Sequence, residues 1–179
     1  GVNPFEIHLD HIMITDGPML PAVTAFTFED DVNPYSGDAN SGLNAAGVGK
    51  AMGDKFLTVE YSTDVVSWNW TGEIYWDQEA VDLSQMNMPY LNLLVNTGNA
   101  KGYFQFETFQ GNTKFGMGQT APDYYFETAG EWQMVSLPLT PSIFSNWGGD
   151  DVPFDPKGVL DYLKFGFSTG NVDAEPYEI

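Results

Sequence analysis

The amino-acid sequence predicts an all-β protein that folds as an antiparallel β-sandwich of the jelly-roll kind. Apolar and polar residues alternate in short stretches along the 179 residues, and Gly, Pro, Asn and Asp separate those stretches. This is the pattern of half-buried strands joined by tight turns. Helical periodicity is scarce and no helix alternates with the strands, so the strands are expected to pair antiparallel.

Nine stretches carry the strand pattern, in chain order. They are residues 5–15, 25–29, 56–62, 68–76, 91–96, 103–109, 124–127, 132–139 and 162–168. One short helix is predicted over 156–163, with Asp155 as its N-cap. Successive side chains of a strand point to opposite faces, so Leu91, Leu93 and Val95 are predicted to face the core.

The chain is predicted to form one domain over residues 1–179, a length that can bury a core of its own. Residues 4–7 (PFEI) are echoed by residues 176–179 (PYEI). We therefore interpret residues 1–24 as a closing strand and linker from a tandem or preceding module. The alternative is a chance match of four residues between two edge strands.

Charge and composition exclude several classes of partner and site. The chain has 25 acidic residues against six lysines, no arginine, and a formal net charge of −19. Nucleic acids and anionic membranes are bound by clustered cations, and anionic polymers are commonly held by the arginine fork, so we expect none of these partners. The absence of cysteine excludes disulfides and thiolate sites. A neutral ligand or a divalent cation remains open.

The acidic residues do not form a recognisable catalytic pattern. Glu73, Asp77 and Glu79 share strand parity, but they do not have the E-x-D-x-x-E spacing of jelly-roll hydrolases. The two histidines, His8 and His11, have opposite strand parity, which argues against a zinc pair or a histidine base. The sequence therefore predicts a protein that is not an enzyme.

Tryptophans are the strongest indication of a ligand site. Trp68, Trp70 and Trp76 lie within nine residues, together with Tyr75, and Trp147 lies in a polar Asn/Gly loop. An exposed indole suits the axial C–H face of a pyranose, whose hydroxyls can bond to nearby amides and carboxylates. We predict ligand contacts for Trp147, Trp70, Trp68 and Tyr75. Trp76 and Trp132 are predicted to belong to the scaffold.

A polar strip is predicted beside these rings. Tyr103, Gln105 and Glu107 have the non-core parity of one strand, and Asn92 has the non-core parity of the preceding strand. A concave sheet could gather these four side chains into a ligand-binding surface. The alternative is ordinary solvent exposure.

Acidic side chains also suggest a structural calcium ion. Glu29 and Asp31 belong to an acidic run that precedes a Gly/Ser-rich loop, and carboxylate oxygens are ligands that calcium prefers. Asp10 lies within an otherwise apolar strand and needs a partner if it is buried.

Five stretches in order resemble the C-terminal glycan-binding domain of bacterial surface glycan-binding proteins from polysaccharide-utilisation systems, and most closely the xyloglucan-binding type. They are residues 26–30 (FTFED), 70–78 (WTGEIYWDQ), 89–97 (PYLNLLVNT), 102–106 (GYFQF) and 130–139 (GEWQMVSLPL). The resemblance runs from about residue 25 to the end of the sequence. It implies a galactose-binding-like β-sandwich of the carbohydrate-binding-module type, with calcium at Glu29 and Asp10.

The resemblance and the residues together predict a non-catalytic, monomeric module. It would hold a neutral polysaccharide, a β-glucan such as β-1,3-glucan or xyloglucan, at the extracellular face of the bacterial outer membrane. The resemblance implies a lipoprotein parent beside a glycan transporter and hydrolases, with signal and anchor outside this sequence. One alternative is a calcium-stabilised adhesive or spacer domain without a sugar site. The other is a jelly-roll glycoside hydrolase that uses Glu73 or Glu107 as acid and Asp77 as nucleophile or base.

Overall fold

The computed structural model describes residues 5–18, 22–30, 32–37, 40–45, 55–61, 72–76, 80–98, 102–117, 127–148 and 151–168. Within these residues the backbone forms fourteen strands and no helix. The strands are β1 (Phe5–Asp16), β2 (Ala22–Phe26), β3 (Tyr35–Gly37), β4 (Asn40–Ala45), β5 (Lys55–Tyr61), β6 (Gly72–Trp76), β7 (Val81–Asp82), β8 (Pro89–Asn96), β9 (Tyr103–Gln110), β10 (Thr113–Met117), β11 (Gln133–Pro138), β12 (Phe144–Asn146), β13 (Val159–Leu160) and β14 (Leu163–Ser168).

The strands form two six-stranded sheets and a small ribbon. Sheet A has the order β11-β8-β1-β5-β4, with β2 also paired to β1, and sheet B has the order β12-β10-β9-β14-β6-β3. The ribbon pairs β13 with β7. Every pair is antiparallel. The predicted all-β, antiparallel class is therefore confirmed.

One apolar core draws on both sheets. Leu91, Leu93 and Val95 of β8 are fully buried, as their parity predicts, and they belong to the same cluster as Phe104 and Phe106 of β9. A shared core is what face-to-face sheets require. Since β8 and β9 follow each other along the chain but lie in different sheets, the link between them crosses from one sheet to the other.

A β-bulge at Asp10 changes the faces of the first strand. His8 pairs with Asn96 and His11 with Leu94, so Asp10 is the extra residue of β1. Because Asn96 and Leu94 share one face of β8, His8 and His11 also share a face, and the prediction of opposite parity is wrong. The bulge keeps the apolar residues on both sides of it in the core, namely Ile7, Leu9, Ile12 and Ile14.

The first strand lies inside sheet A. One edge of β1 pairs with β8, and its other edge pairs with β5 through Leu9 and with β2 from Ile12 onward. The bulge thus occurs where β1 changes partner. Residues 176–179 (PYEI), which resemble residues 4–7 (PFEI), lie outside the described residues. A tandem arrangement therefore stays a prediction.

Several predicted element bounds are corrected. The strand predicted at 25–29 is β2 at Ala22–Phe26, and Phe28 follows it with a φ of 61°, which an extended strand cannot accommodate. The helix predicted over 156–163 is wrong: Asp155 Oδ1 accepts the N–H of Lys157 at 2.9 Å in a turn that leads into β13. Residues 68–71 and 124–126 of two predicted strands lie outside the described part of the chain.

Candidate functional site

The candidate site lies on the face of sheet B that points away from the core. Phe104 and Phe106 face the core, so Gln105 and Glu107, between and after them on β9, take the opposite face. Gly116 of β10 pairs directly with Glu107, and Lys164 of β14 pairs with it from the other side. These residues define the outer face of sheet B.

Glu107 is a buried carboxylate at the centre of this face. Its Oε2 lies 2.6 Å from Lys114 Nζ, and its Oε1 lies 3.6 Å from Lys164 Nζ. The hydroxyl of Tyr162 donates to Oε1 at 3.0 Å. Opposite charges and a hydroxyl donor therefore compensate the loss of water around the buried carboxylate.

Trp147 lies flat against the backbone of β10. A Cβ at Gly116 would overlap the Cε2, Cζ2 and Cδ2 atoms of the indole, so the ring occupies the space that any larger side chain would need. The backbone N–H of Trp147 donates to the backbone carbonyl of Lys114 at 3.0 Å. The N–H of Gly148 donates to Asn146 Oδ1 at 2.6 Å, which tightens the turn around the tryptophan.

The indole of Trp147 is half-buried and has a cation beside it. Lys114 Nζ lies 5.7 Å from the ring centroid, within the range of a cation–π interaction. One ring face rests on Gly116, so a ligand that stacks on Trp147 has only the other face available. The arrangement is a one-sided aromatic platform beside an ion pair.

The structure brings together three of the predicted ligand residues, Trp147, Gln105 and Glu107. The backbones of two more belong to the same sheet: Tyr103 lies on β9 two residues before Gln105, and Tyr75 of β6 pairs with Lys164. The side chains of Tyr103 and Tyr75 are outside the description. Trp68 and Trp70, predicted as contacts, also lie outside the described residues.

Asn92 does not join this group. It lies in sheet A, whereas Gln105 and Glu107 lie in sheet B. Its buried amide donates to Thr15 Oγ1 at 2.7 Å and accepts from the Ser136 hydroxyl at 2.6 Å. The prediction that Asn92 forms one strip with the two residues of β9 is therefore wrong, because the two strands are not neighbours. Its amide links β1 to β11 across β8.

The three predicted calcium ligands have different surroundings. Asp10 is fully buried, and its Oδ1 lies 3.0 Å from His11 Nδ1. Glu29 is exposed, and its Oε1 accepts the N–H of Lys55 at 3.0 Å. Asp31 lies outside the described residues. Among the described residues, no group of three or more His, Asp or Glu side chains could hold a metal ion. The calcium site stays a prediction.

Sequence reasoning missed Gly116, Lys114, Lys164 and Tyr162. Lys114 and Gly116 lie on β10, which is short, has weak alternation and is not among the predicted strands, and Lys164 and Tyr162 lie in the predicted strand 162–168 without being singled out. The Gly111-Asn112 pair between two polar ends was the available signal, because a two-residue turn with Gly at positive φ joins antiparallel strands. With that hairpin in place, Lys114 and Gly116 take the face of Glu107.

Trp132 immediately precedes β11 of sheet A. Its ring is 5.5 Å from Phe56 in an edge-on arrangement and 6.1 Å from His8. His8 also contacts Phe56, at 5.2 Å between centroids. Trp132 is thus one of three packed rings. The side chain of Trp76, the other tryptophan predicted to belong to the scaffold, is not among those that the structure describes.

One carboxylate with a shifted pKa lies away from this face, at the end of β1. Asp16 Oδ1 accepts the backbone N–H groups of Met88 and Asn87, each at 2.7 Å. The backbone hydrogen bond from Met88 is the largest cause that lowers the pKa of Asp16, because these donors favour the charged form. The Asp82 carboxylate, whose Oδ1 accepts from Ser84 N, likewise has a lowered pKa. Both acids fix the turns around β7.

Comparison of the chain with protein-family models, with curated proteins and with solved structures found no match. The described residues contain no helix that is long and apolar enough to cross a membrane. The fold therefore defines the class of this protein: it is an all-β protein with antiparallel sheets.

Proposed function

We propose that this protein is a non-catalytic carbohydrate-binding module that holds a neutral polysaccharide, a β-glucan such as β-1,3-glucan or xyloglucan, at the bacterial cell surface. The observation that carries the proposal is the half-buried Trp147 ring, which lies against Gly116 and next to the polar residues of β9. The resemblance of five stretches to surface glycan-binding proteins supports the same reading.

The chemistry of the outer face of sheet B suits a sugar ring. The exposed part of the half-buried indole can accept the C–H groups of a pyranose, and an aromatic contact of this kind contributes beyond simple area burial. The Lys114 ammonium, which is 37% exposed, offers hydrogen-bond donors, whereas Gln105 is 6% exposed and lies below the surface that a ligand first meets. Hydroxyls at the edge of a stacked ring would therefore find partners in the plane of the sheet.

Charge favours a neutral ligand. At the site, Glu107 offsets one of its two lysines, while the chain as a whole carries a formal charge of −19. A polyanion would be repelled by the rest of the surface. A shallow one-sided platform gives weak binding, with a Kd in the range of roughly 10 µM to 1 mM, or about 4 to 7 kcal/mol.

Affinity electrophoresis tests the proposal. We expect gels that contain laminarin or xyloglucan to retard the protein, and gels that contain alginate or pectate to leave its mobility unchanged. Trp147→Ala should abolish the retardation, and Trp132→Ala, the same change at the residue that precedes β11 of sheet A, should preserve it in the folded protein. Retardation by the uronate polymers alone, or full retardation of Trp147→Ala, would contradict the proposal.

The absence of catalysis and the location are part of the same proposal. Both Glu107 oxygens are engaged by Lys114, Lys164 and Tyr162, which suits a positioning role better than that of an acid for hydrolysis. Incubation with laminarin and xyloglucan should release no reducing sugar. The lipoprotein anchor and the neighbouring transporter and hydrolases rest on the resemblance alone.

A structural calcium ion at Glu29, Asp10 and Asp31 also belongs to the proposal. Carboxylate ligands in a loop hold calcium well, and an ion that binds only the folded state raises its melting temperature. Calcium is therefore expected to raise the Tm, and EGTA to reverse the rise. An equal Tm in calcium and in EGTA would show that no structural calcium ion is bound, and it would not bear on the sugar site.

A further inference from the structure

Two of the six lysines in this acidic chain flank the same buried carboxylate. Lys114 lies on β10, next to Trp147, and Lys164 lies on β14, on the other side of β9. Both approach Glu107, and Lys114 also lies on the strand that Trp147 covers, with Nζ 5.7 Å from the ring centroid. The two lysines are therefore not equivalent with respect to a ligand on Trp147.

We propose that Lys114 is the specificity-determining residue of the outer face of sheet B. Its ammonium donates a hydrogen bond to an oxygen at the edge of the sugar ring stacked on Trp147. Glu107 is the positioning residue that holds the ammonium there. This inference rests on the proposed function and names the group that selects among neutral sugars by the placement of their hydroxyls.

Exposure separates the two partners of the ion pair. The Glu107 side chain is 6% exposed and the Lys114 side chain is 37% exposed, so the lysine is the member of the pair that reaches solvent. An ammonium has three N–H donors, and Glu107 accepts one through Oε2. The carboxylate itself is too deeply buried to be the first contact of a ligand.

The orientation of the Glu107 carboxylate is set from its far side. Tyr162 and Lys164 both approach Oε1, at 3.0 Å and 3.6 Å, which leaves Oε2 directed at Lys114. The backbone carbonyl of Lys114 in turn accepts the N–H of Trp147. The backbone of Trp147 is thus held at the same residue of β10 whose side chain carries the ammonium.

Calorimetric titration with laminarihexaose and with a xyloglucan heptasaccharide tests the inference. Lys114→Met keeps the length of the side chain and removes the ammonium, and it should weaken binding about tenfold, the effect of losing a hydrogen bond to a charged group. Lys55→Met is the matched control, because it removes one ammonium from β5 of sheet A and leaves Glu107 and its partners in place. It should leave the affinity close to that of wild type. Equal losses in the two variants, or none in Lys114→Met, would overturn the inference.

A second measurement works without any ligand. In protein labelled with 5-fluorotryptophan, the fluorine resonance of Trp147 is the one that disappears in Trp147→Phe. Lys114→Met should shift that resonance, and Lys55→Met, on sheet A, should leave it in place. A resonance unchanged in Lys114→Met contradicts the placement of the ammonium.

The two proposals fail in different ways. If the wild-type protein binds none of the neutral glycans, or if Trp147→Ala binds them normally, the proposed function at this face is wrong. If Trp147→Ala loses binding and Lys114→Met keeps it, the face binds sugar and only the role of Lys114 is wrong.

Discussion

Gly116 and Glu107 are direct cross-strand partners in the β9–β10 pair, and this pairing brings a tryptophan platform and a buried ion pair onto one face. Trp147 covers the glycine, and the glutamate holds the lysine beside the ring. The sequence predicts Glu107 as a ligand residue but gives no indication of Gly116. Their relationship makes the outer face of sheet B the candidate site, and four predictions follow from it and from the surrounding structure.

Gly116→Ala is expected to displace the indole of Trp147. The new methyl group would overlap three ring atoms, and such overpacking costs about 1–3 kcal/mol in the free energy of unfolding. Urea unfolding measures the loss, and affinity electrophoresis should show weaker glycan binding. In a Trp147→Ala background the same substitution should cost clearly less. Equal costs in the two backgrounds would show that the ring does not occupy this space.

Glu107→Gln is expected to destabilise the fold by about 1–3 kcal/mol, because two partly buried ammonium groups lose their counter-charge. Lys164 is 17% exposed and Lys114 is 37% exposed, so water compensates part of the loss. Urea unfolding gives the change. Glu131→Gln, at an exposed glutamate, is the control and should stay within about 0.5 kcal/mol of wild type. A similar change in both variants would contradict the buried ion pairs.

Asp16→Asn is expected to reduce the loss of thermal stability that the protein shows as the pH falls. The pKa of Asp16 is lowered in the folded protein from an ordinary value of 3.8. The stability that this carboxylate contributes is therefore present above 3.8 and lost as the pH falls through its folded pKa. Wild type should lose more Tm than Asp16→Asn when the pH falls from about 5 to below the ordinary value. Melting curves across that range measure it, with Asp151→Asn, at an exposed aspartate, as control. Parallel losses in wild type and Asp16→Asn would contradict the role of the hydrogen bonds from Asn87 and Met88.

Asn92→Ala is expected to lower stability and leave glycan binding intact. The substitution leaves the hydroxyls of Thr15 and Ser136 without their buried amide partner, at a cost of about 1–3 kcal/mol. Urea unfolding should show this loss. Titration of the folded variant with laminarihexaose should give the wild-type affinity, because Asn92 lies in sheet A. Loss of affinity in a folded Asn92→Ala variant would show that Asn92 contributes to ligand binding.

The parts of the fold that alternation predicts are the long, regular strands. Leu91, Leu93 and Val95 were assigned to the core correctly because every second residue of β8 is apolar and the strand has no irregularity. The same reasoning failed at His8 and His11, where one extra residue reverses the parity. A bulge depends on how a strand pairs with its neighbours, and the residues around Asp10 give no sequence signal for it.

The candidate site was predictable only in part, for a related reason. Trp147 and Glu107 could be named because a tryptophan in a polar loop and an acid on the non-core parity of a strand are both local signals. Tyr162 could not, because its partner Glu107 lies 55 residues earlier in the chain. Lys114 and Gly116 were missed because the β9–β10 hairpin is not among the predicted elements. Asn92 was misplaced for the same reason: consecutive strands need not be adjacent in a sheet.

The sequence by itself determined that this chain is an all-β protein with antiparallel sheets, an acidic surface and a buried apolar face on each long strand, since composition and period-two alternation act locally. Only the tertiary structure decided which strands are neighbours. Hydrogen bonding between strands and burial of a shared core are long-range, so they alone decide that β8 and β9 lie in different sheets and that Trp147 lies next to Lys114.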